Sequence, residues 1–339
     1  MTRRTLVVRL DNLGDVLLAG PAIRAVAASG HDVTLLCGPH GRAAADLLPG
    51  VADVWEFHAP WIDPDGHDVD PQVVDALVER LSDGGFDEAI VLTSFHQSAL
   101  PTALLLRLAG VPTVAAISAD FPGTLLDVRH HVPDDVHEVE RNLSLVATLG
   151  HRLPADDDGR LRIERRGAIR AAPFAEPYVV VHPGATVEAR AWGRDRNAAA
   201  VTALVAAGWH VAVTGSACET DLTAAVACVE RHGGRVLDLG GCTSFAELAD
   251  VIGGASAIVV GNTGAAHLAA AVGTPVASVY APTVPVERWF PWLVPTELLG
   301  DQGIACAGCR ARTCPVAGHP CLAVVEPADV VAAVERQAR

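Results

Sequence analysis

The sequence predicts an α/β protein of two lobes, each a parallel, doubly wound sheet, and three observations carry that prediction. Short β-branched runs alternate with longer Ala/Leu-rich stretches along the 339 residues, the pattern of strands alternating with helices. The alternation starts again near residue 178, after a charged segment at 155–177 that ends in Pro and Ala. Half of the residues are apolar but only 4% are aromatic, as expected where helices cover short apolar strands on both faces. A chain of this length is long for one core and comfortable for two.

In the first half TLVVRL (5–10), DVTLLCG (32–38), ADVWEF (52–57), DEAIVLT (87–93) and TVAAIS (113–118) read as strands. Helical stretches at 15–28, 40–48, 71–83 and 98–109 follow most of them. In the second half YVVVH (178–182), HVAVTGS (210–216), RVLDL (235–239), SAIVVGN (256–262) and PVASVYA (275–281) repeat the plan. Their helices are expected near 195–207, 217–232, 244–253 and 263–272. Residues 1–165 are therefore read as an N-terminal Rossmann-like lobe and 172–322 as a C-terminal one, facing a central cleft, with the hinge between them. Residues 325–339 read as a closing helix with Pro327 near its start.

Composition excludes several partners. The net charge is −15, which opposes nucleic acid as a ligand. Residues 1–170 hold 25 acids against 15 arginines, so the first lobe is the more acidic. The chain has no lysine, and any phosphate contact falls to Arg, His, hydroxyls or backbone amides. No uncharged apolar run reaches the length of a membrane span, and MTRRTLVVRLDNLGD reads as a first strand, not as a signal peptide. The chain is read as cytoplasmic, with at most peripheral membrane contact.

In open α/β sheets ligands bind beyond the carboxyl ends of the strands, so the loops there are the candidate site. RLDNLGD (9–15) places Asn12, Gly14 and Asp15 after the first strand. Asp15 is either a helix cap or a general base at the edge of a cleft, and Gly14 lets a ligand approach the backbone. HPGATVEARAW (182–192) offers backbone amides, the Thr186 hydroxyl and the Arg190 fork. TGSACETD (214–221) turns at Gly215 and Ser216, and Glu219 either complements a helix start or binds ribose hydroxyls. In GNTGAAH (261–267), Asn262, Thr263 and Gly264 open a helix whose free amides suit an anion, with His267 on its first turn. Three such loops point to a diphosphate site. No GxGxxG stretch is present, which weakens a dehydrogenase reading.

Taken together, RLDNLGDVLLAGPAIRAV, HPGATVEARAW, TGSACETD, GNTGAAHLAAAVGTPVASVYAPTVPVERW and the cysteine-bearing tail resemble glycosyltransferase family 9, the ADP-heptose:lipopolysaccharide heptosyltransferases. The resemblance implies a GT-B fold, with an acceptor on the first lobe and a nucleotide-sugar on the second. It also implies inverting, metal-independent transfer without a cofactor, from an ADP-sugar, ADP-heptose first. By motif match Asp15 is the catalytic base, Arg190 contacts donor phosphate where the family usually has lysine, and Glu219 holds the donor ribose. Thr263, Gly264 and His267 match the diphosphate-binding helix start. Asn262 stands where the family usually has Asp, and an amide carries no charge.

Other constellations stay open at this level. Cys306, Cys309, Cys314 and Cys321 follow C-x2-C-x4-C-x6-C with His319 nearby, a pattern for a structural metal, for reduced thiols or for a disulfide. Cys37, Cys218, Cys228 and Cys242 are expected to be core thiols. HAPWIDPDGHDVDPQ (58–72) contains D-x-D twice and reads as an acceptor-facing or solvated loop, with His58 and Trp61 as sugar contacts. Arg288 and Trp289 either line the cleft or pack between the lobes, and 129–141 reads as the start of an acidic surface helix or as a source of histidines for an acceptor. The acidic first lobe favours a neutral or cationic small-molecule acceptor, such as a natural-product intermediate, over a phosphate-rich lipid. Asn262 motivates a rival reading, a non-catalytic nucleotide-sugar binder.

Overall fold

The computed structural model describes residues 2–63, 66, 68–165, 167–228 and 231–338, and the chain divides into two compact units, Met1–Glu164 and Arg165–Arg339. The first contains strands β1 (Arg4–Arg9), β2 (Asp32–Cys37), β3 (Asp53–Glu56), β4 (Glu88–Val91), β5 (Thr113–Ile117) and β6 (Val128–His130). Its helices are α1 (Leu13–Ala28), α2 (Arg42–Ala45), α3 (Pro71–Asp83), α4 (Leu100–Leu108) and α5 (Glu138–Thr148). The second contains β7 (Tyr178–His182), β8 (His210–Val213), β9 (Val236–Asp238), β10 (Ala257–Val260), β11 (Val276–Val279) and β12 (Thr296–Leu299). Its helices are α6 (Arg194–Ala206), α7 (Thr220–Ala227), α8 (Phe245–Gly253), α9 (Gly264–Val272), α10 (Val286–Trp289), α11 (Pro320–Ala323) and α12 (Pro327–Gln337).

Both sheets are six-stranded and parallel, in the orders β3-β2-β1-β4-β5-β6 and β12-β11-β10-β7-β8-β9. Read from its own first strand, each follows the same course: outward through two strands, then back across the start. The direction reverses between β1 and β4 in the first unit and between β7 and β10 in the second. At such a switch point the loops leave in opposite directions and open a crevice at the strands' carboxyl ends. The loops after β1, β7, β8 and β10, which carry the polar residues singled out from sequence, leave from these carboxyl ends.

The strands are apolar because both faces are covered. Leu6 and Val8 of β1 cluster with Val91, Val114, Leu81 and Leu106 on the side of α3 and α4. Val7, Leu35 and Ile90, at most 1% exposed, alternate onto the other face, where α1 lies against β1 and β2. In the second unit Val179, Val181, Val211 and Val259 pack with Leu204 of α6 and Val330 and Val334 of α12. Each such side chain contributes roughly 1.5–3 kcal/mol on burial. The last helix is thus part of the second core.

The segment expected to be a hinge is tied down at both ends by arginine–carboxylate pairs. Arg24 of α1 donates through Nε to Asp157 Oδ2 at 2.7 Å and through Nη2 to Oδ1 at 2.9 Å, and these bonds hold Asp157 at a pKa of about 2. Beyond residue 164 the anchor is Asp250 of α8, which accepts from Arg165 Nε at 2.6 Å and from the Arg170 amide at 2.7 Å. Two strands escape the sequence reading, β6 and β12. Both are short edge strands whose residues are only half-buried, so neither carries an apolar run.

At the amino ends of β1 and β4 a polar cluster is buried. Glu88 Oε1 lies 2.8 Å from His151 Nε2 and accepts from Thr5 Oγ1 at 3.2 Å, while Thr5 Oγ1 also meets His31 Nδ1 at 2.7 Å. Burial opposes the Glu88 charge, but the bonds from His151 and Thr5 outweigh it and hold the carboxyl below its usual range. His31 is held below the usual histidine range by burial and by the neighbouring His151. Both groups therefore take up protons more readily when unfolded, and acidification removes stability. Glu88→Ala is expected to cost about 1–3 kcal/mol near neutral pH by stranding its donors. Denaturant melts of both proteins across pH should show that gap closing below about pH 4, where a free Glu protonates. A gap independent of pH would refute the pairing.

Candidate functional site

The site of the first unit is organised by an arginine that ends an apolar strand. Arg9 is the last residue of β1 and is 0% exposed. Its Nη2 donates to Ser94 Oγ at 2.9 Å, to Asp15 Oδ1 at 3.1 Å and to Asp11 Oδ2 at 3.3 Å. Its Nη1 donates to Glu138 Oε2 at 3.3 Å, and Ser94 Oγ donates to Asp11 Oδ2 at 2.7 Å. Four separate pieces of chain converge here: the end of β1 with the loop after it, the first turn of α1, the loop after β4, and the start of α5.

The three carboxylates around Arg9 differ in access. The side chains of Asp11 and Glu138 are 5% and 0% exposed, and that of Asp15 is 19% exposed. Burial pushes Asp11 and Glu138 above the usual carboxylate range, against the pull of Arg9. Asp15 alone combines the ion pair with an opening to solvent. It is not the helix cap: Asn12 occupies that position in extended conformation, without a capping bond from its side chain. Gly14 is buried beside it.

Arg9, Ser94 and Glu138 were not singled out by the sequence reading. Arg9 passes for the polar end of a strand, although a cation in a run covered on both faces must have partners. The segment 129–141, read as the start of an acidic surface helix, instead delivers a fully buried Glu138 to Arg9.

The remaining first-unit candidates are more local. His58 Nε2 and Asp63 Oδ2 are 2.8 Å apart, and Trp61 Nε1 donates to Thr102 Oγ1 at 3.4 Å while its ring lies 5.7 Å from that of Phe57. Trp61 therefore packs against the core cluster of its unit. Pro64, Asp65 and His67 lie outside the described residues, and with them half of the first D-x-D pair. Arg288, grouped with the acceptor contacts from sequence, sits on α10 of the second unit and is 7% exposed.

In the second unit three loops leave the carboxyl ends of β7, β8 and β10, beside the switch point. Gly184, after β7, is approached by Glu219, after β8: a Cβ at position 184 would lie 1.9 Å from Glu219 Oε1. The other oxygen, Oε2, accepts from the Ser216 amide at 2.8 Å and from Ser216 Oγ at 2.6 Å. The bland reading of Glu219 as a first-turn acid thus accounts for one oxygen and leaves the other directed at the 184 loop. Gly215 lies under the same side chain, since a Cβ there would be 3.3 Å from Glu219 Cβ.

The third loop leads from β10 into α9. Thr263 is the N-cap residue in extended conformation, but its hydroxyl makes no capping bond, and Oγ1 is buried without a hydrogen-bond partner. Asn262 and His267 are 6% and 5% exposed. Gly261 brings this loop against the 190 turn, where a Cβ would lie 3.3 Å from the Arg190 carbonyl oxygen. Arg190 Nε donates to Thr283 Oγ1 at 3.3 Å. A cavity of about 10 Å³, near the size of one water, lies among His182, Gly184, Arg190, Asn197 and Gly261. Thr186 is exposed at its edge of the loop. A helix start with amide donors, one arginine and two hydroxyls can hold a diphosphate.

Cys306, Cys309, Cys314 and Cys321 line one cavity of about 30 Å³ together with His319, and all four are free thiols. Burial pushes the Cys321 thiol up, and Cys314 and Cys306 add to it. Cys218 and Cys242, expected in the core, are exposed; Cys37 is buried, and burial raises its thiol to about 11. Among the described residues one set of ligating atoms lies within 4.8 Å of one another, His31, Glu88 and His151. It sits at the amino ends of the strands, opposite the switch point. Among the described residues, no helix is long and apolar enough to cross a membrane.

Comparison with known proteins places the chain in a family and a fold. The family model described as glycosyltransferase family 9 (heptosyltransferase) matches residues 74–319. Over 337 aligned residues the chain is 27% identical to lipopolysaccharide heptosyltransferase 1 of Pseudomonas aeruginosa, covering 92% of this chain and 87% of that protein. Its fold is similar to that of E. coli ADP-heptose lps heptosyltransferase II, at TM-score 0.75, 18% identity and coverage of 99% and 98% of the two chains. It is also similar to E. coli heptosyltransferase WaaC with ADP-2-deoxy-2-fluoro heptose, at TM-score 0.72, 21% identity and coverage of 98% and 99%. The two doubly wound units are thus those of the GT-B fold. The chain belongs to glycosyltransferase family 9, the heptosyltransferases, and is a glycosyltransferase.

Proposed function

We propose that the protein transfers a heptose from ADP-heptose to an acceptor hydroxyl, with inversion and without a metal, and that Asp15 is the base. The observation that carries this reading is Asp15 itself, the one carboxylate of the Arg9 cluster that opens to solvent, at the switch point of its sheet. In the proposed step the acceptor oxygen attacks the anomeric carbon as its proton passes to Asp15, and the bond to the diphosphate breaks. The departing ADP takes the electron pair. The start of α9, Arg190 and His267 are assigned to the charge that develops there. Glu219, directed over Gly184, is assigned to the ribose hydroxyls. A structure similar to this chain contains ADP-2-deoxy-2-fluoro heptose, which supports the choice of donor.

A second reading keeps the chemistry and changes the substrates. Asn262 stands where the family usually has Asp, and residues 1–170 carry 25 acids against 15 arginines. Both favour another nucleotide-sugar, or a neutral small acceptor instead of an anionic lipid core.

Three measurements test these assignments. Asp15→Asn is expected to lower transfer by about 10²–10⁴-fold while ADP affinity stays unchanged. Wild-type turnover in that variant would remove Asp15 from the chemistry. Gly184→Ala forces Glu219 aside and is expected to raise the donor KM by about tenfold, the equivalent of roughly 1.4 kcal/mol, with a smaller change in kcat. A thermal-shift series over ADP-, UDP-, GDP- and dTDP-sugars should give its largest shift with ADP-heptose; a larger shift with another nucleotide would overturn the donor.

A further inference from the structure

Glu138 is 0% exposed, so it cannot touch a substrate, yet its carboxylate faces the guanidinium that binds Asp15. We infer that Arg9 and Glu138 are positioning residues: Arg9 fixes the orientation of the Asp15 carboxylate, and Glu138 offsets the charge that Arg9 would otherwise impose on it.

The geometry is a fork. One end of the guanidinium, Nη1, is spent on Glu138, and the other, Nη2, on Asp15, Asp11 and Ser94. Held at both ends inside the protein, the planar group cannot swing, so Asp15 is bound by a fixed donor on a strand terminus. A cation 3.1 Å from a carboxylate also stabilises its charged form and makes it a poorer proton acceptor. Two buried carboxylates on the same guanidinium oppose that effect.

The charged groups around this first turn come from every neighbouring element. Arg9 is on β1, Asp11 in the loop after it, and His96 in the loop after β4, acting on Asp11. Glu138 and Arg141, 4.0 Å apart, are on α5, and His137 at its N-cap accepts from the Val139 amide. On the side of α2, Arg42 pairs with Asp46 at 2.9 Å and His40 lies 3.4 Å from Asp63. Near Asp15, Glu138 is the negative charge that opposes Arg9 from the far end of the fork.

The kinetic part of this inference rests on Asp15 being the base; the electrostatic part does not, and the experiment separates them. Aspartate ¹³Cγ spectra of the full chain would be followed with pH, the Asp15 signal being identified by its loss in Asp15→Asn. Glu138→Gln is expected to move the Asp15 titration midpoint down by about one pH unit, and Arg9→Met to move it up by a similar amount. Arg9→Lys should fall between Arg9→Met and wild type. Opposite displacements from two residues 129 apart in sequence are not produced by a general loss of packing. If Arg9→Met fails to fold, Glu138→Gln and Arg9→Lys decide the matter.

Transfer would be read as ADP release from ADP-heptose with a lipopolysaccharide-core oligosaccharide or a neutral heptoside as acceptor probe. The acid limb of kcat/KM should follow the same displacements, with kcat about tenfold lower in Glu138→Gln. An unmoved midpoint in Glu138→Gln overturns the inference. Midpoints that move while Asp15→Asn retains full transfer overturn the base assignment and leave the electrostatic coupling standing.

Discussion

A guanidinium at the end of a doubly covered strand has no access to water, and its burial costs several kcal/mol unless carboxylates surround it. Arg9 meets that condition with Asp11, Asp15 and Glu138, drawn from three places in the chain and assembled only when β1, α1 and α5 are packed together. The same requirement orders the surface above it. Asp15 is bound where it is because Arg9 cannot be left alone. The polar end of the first sheet is therefore part of its fold as much as part of its site.

The corresponding end of the second sheet is built differently. Its loops pass close to their neighbours, and glycine is what permits the approach, to the Glu219 side chain at 184 and to the Arg190 backbone at 261. The start of α9 leaves its amides unoccupied by the Thr263 side chain. No lysine exists in this chain to supply a simple point charge, so the permanently charged cationic side chains of both units are arginine forks. Two sheets of identical strand order thus carry opposite solutions at the same topological position: a buried ion cluster in one, a cradle of amides in the other.

Much of this was legible from local pattern. The strands with three or more apolar residues, β1, β2, β4, β7, β10 and β11 among them, announce themselves because both faces are buried. The edge strands β6 and β12 do not, since a half-covered edge needs no apolar run. Cys218 and Cys242 show the same limit from the other side: lying next to apolar residues in sequence, they come out exposed on turns. Glu138 was misread for a related reason, because an acid at a helix start among other acids has the composition of a surface, and only its partner makes it buried.

By itself the sequence determined the two-lobed α/β class, the loops at the strand ends and the chemical types placed there, since each of these is set by periodicity and residue type within a few positions. It did not determine which of Asp11, Asp15 and Glu138 opens to solvent, or that one arginine binds all three. Those outcomes depend on the order of strands in the sheet, which places residues 9, 94 and 138 side by side. Strand order is a property of long-range packing, and no short window of sequence contains it.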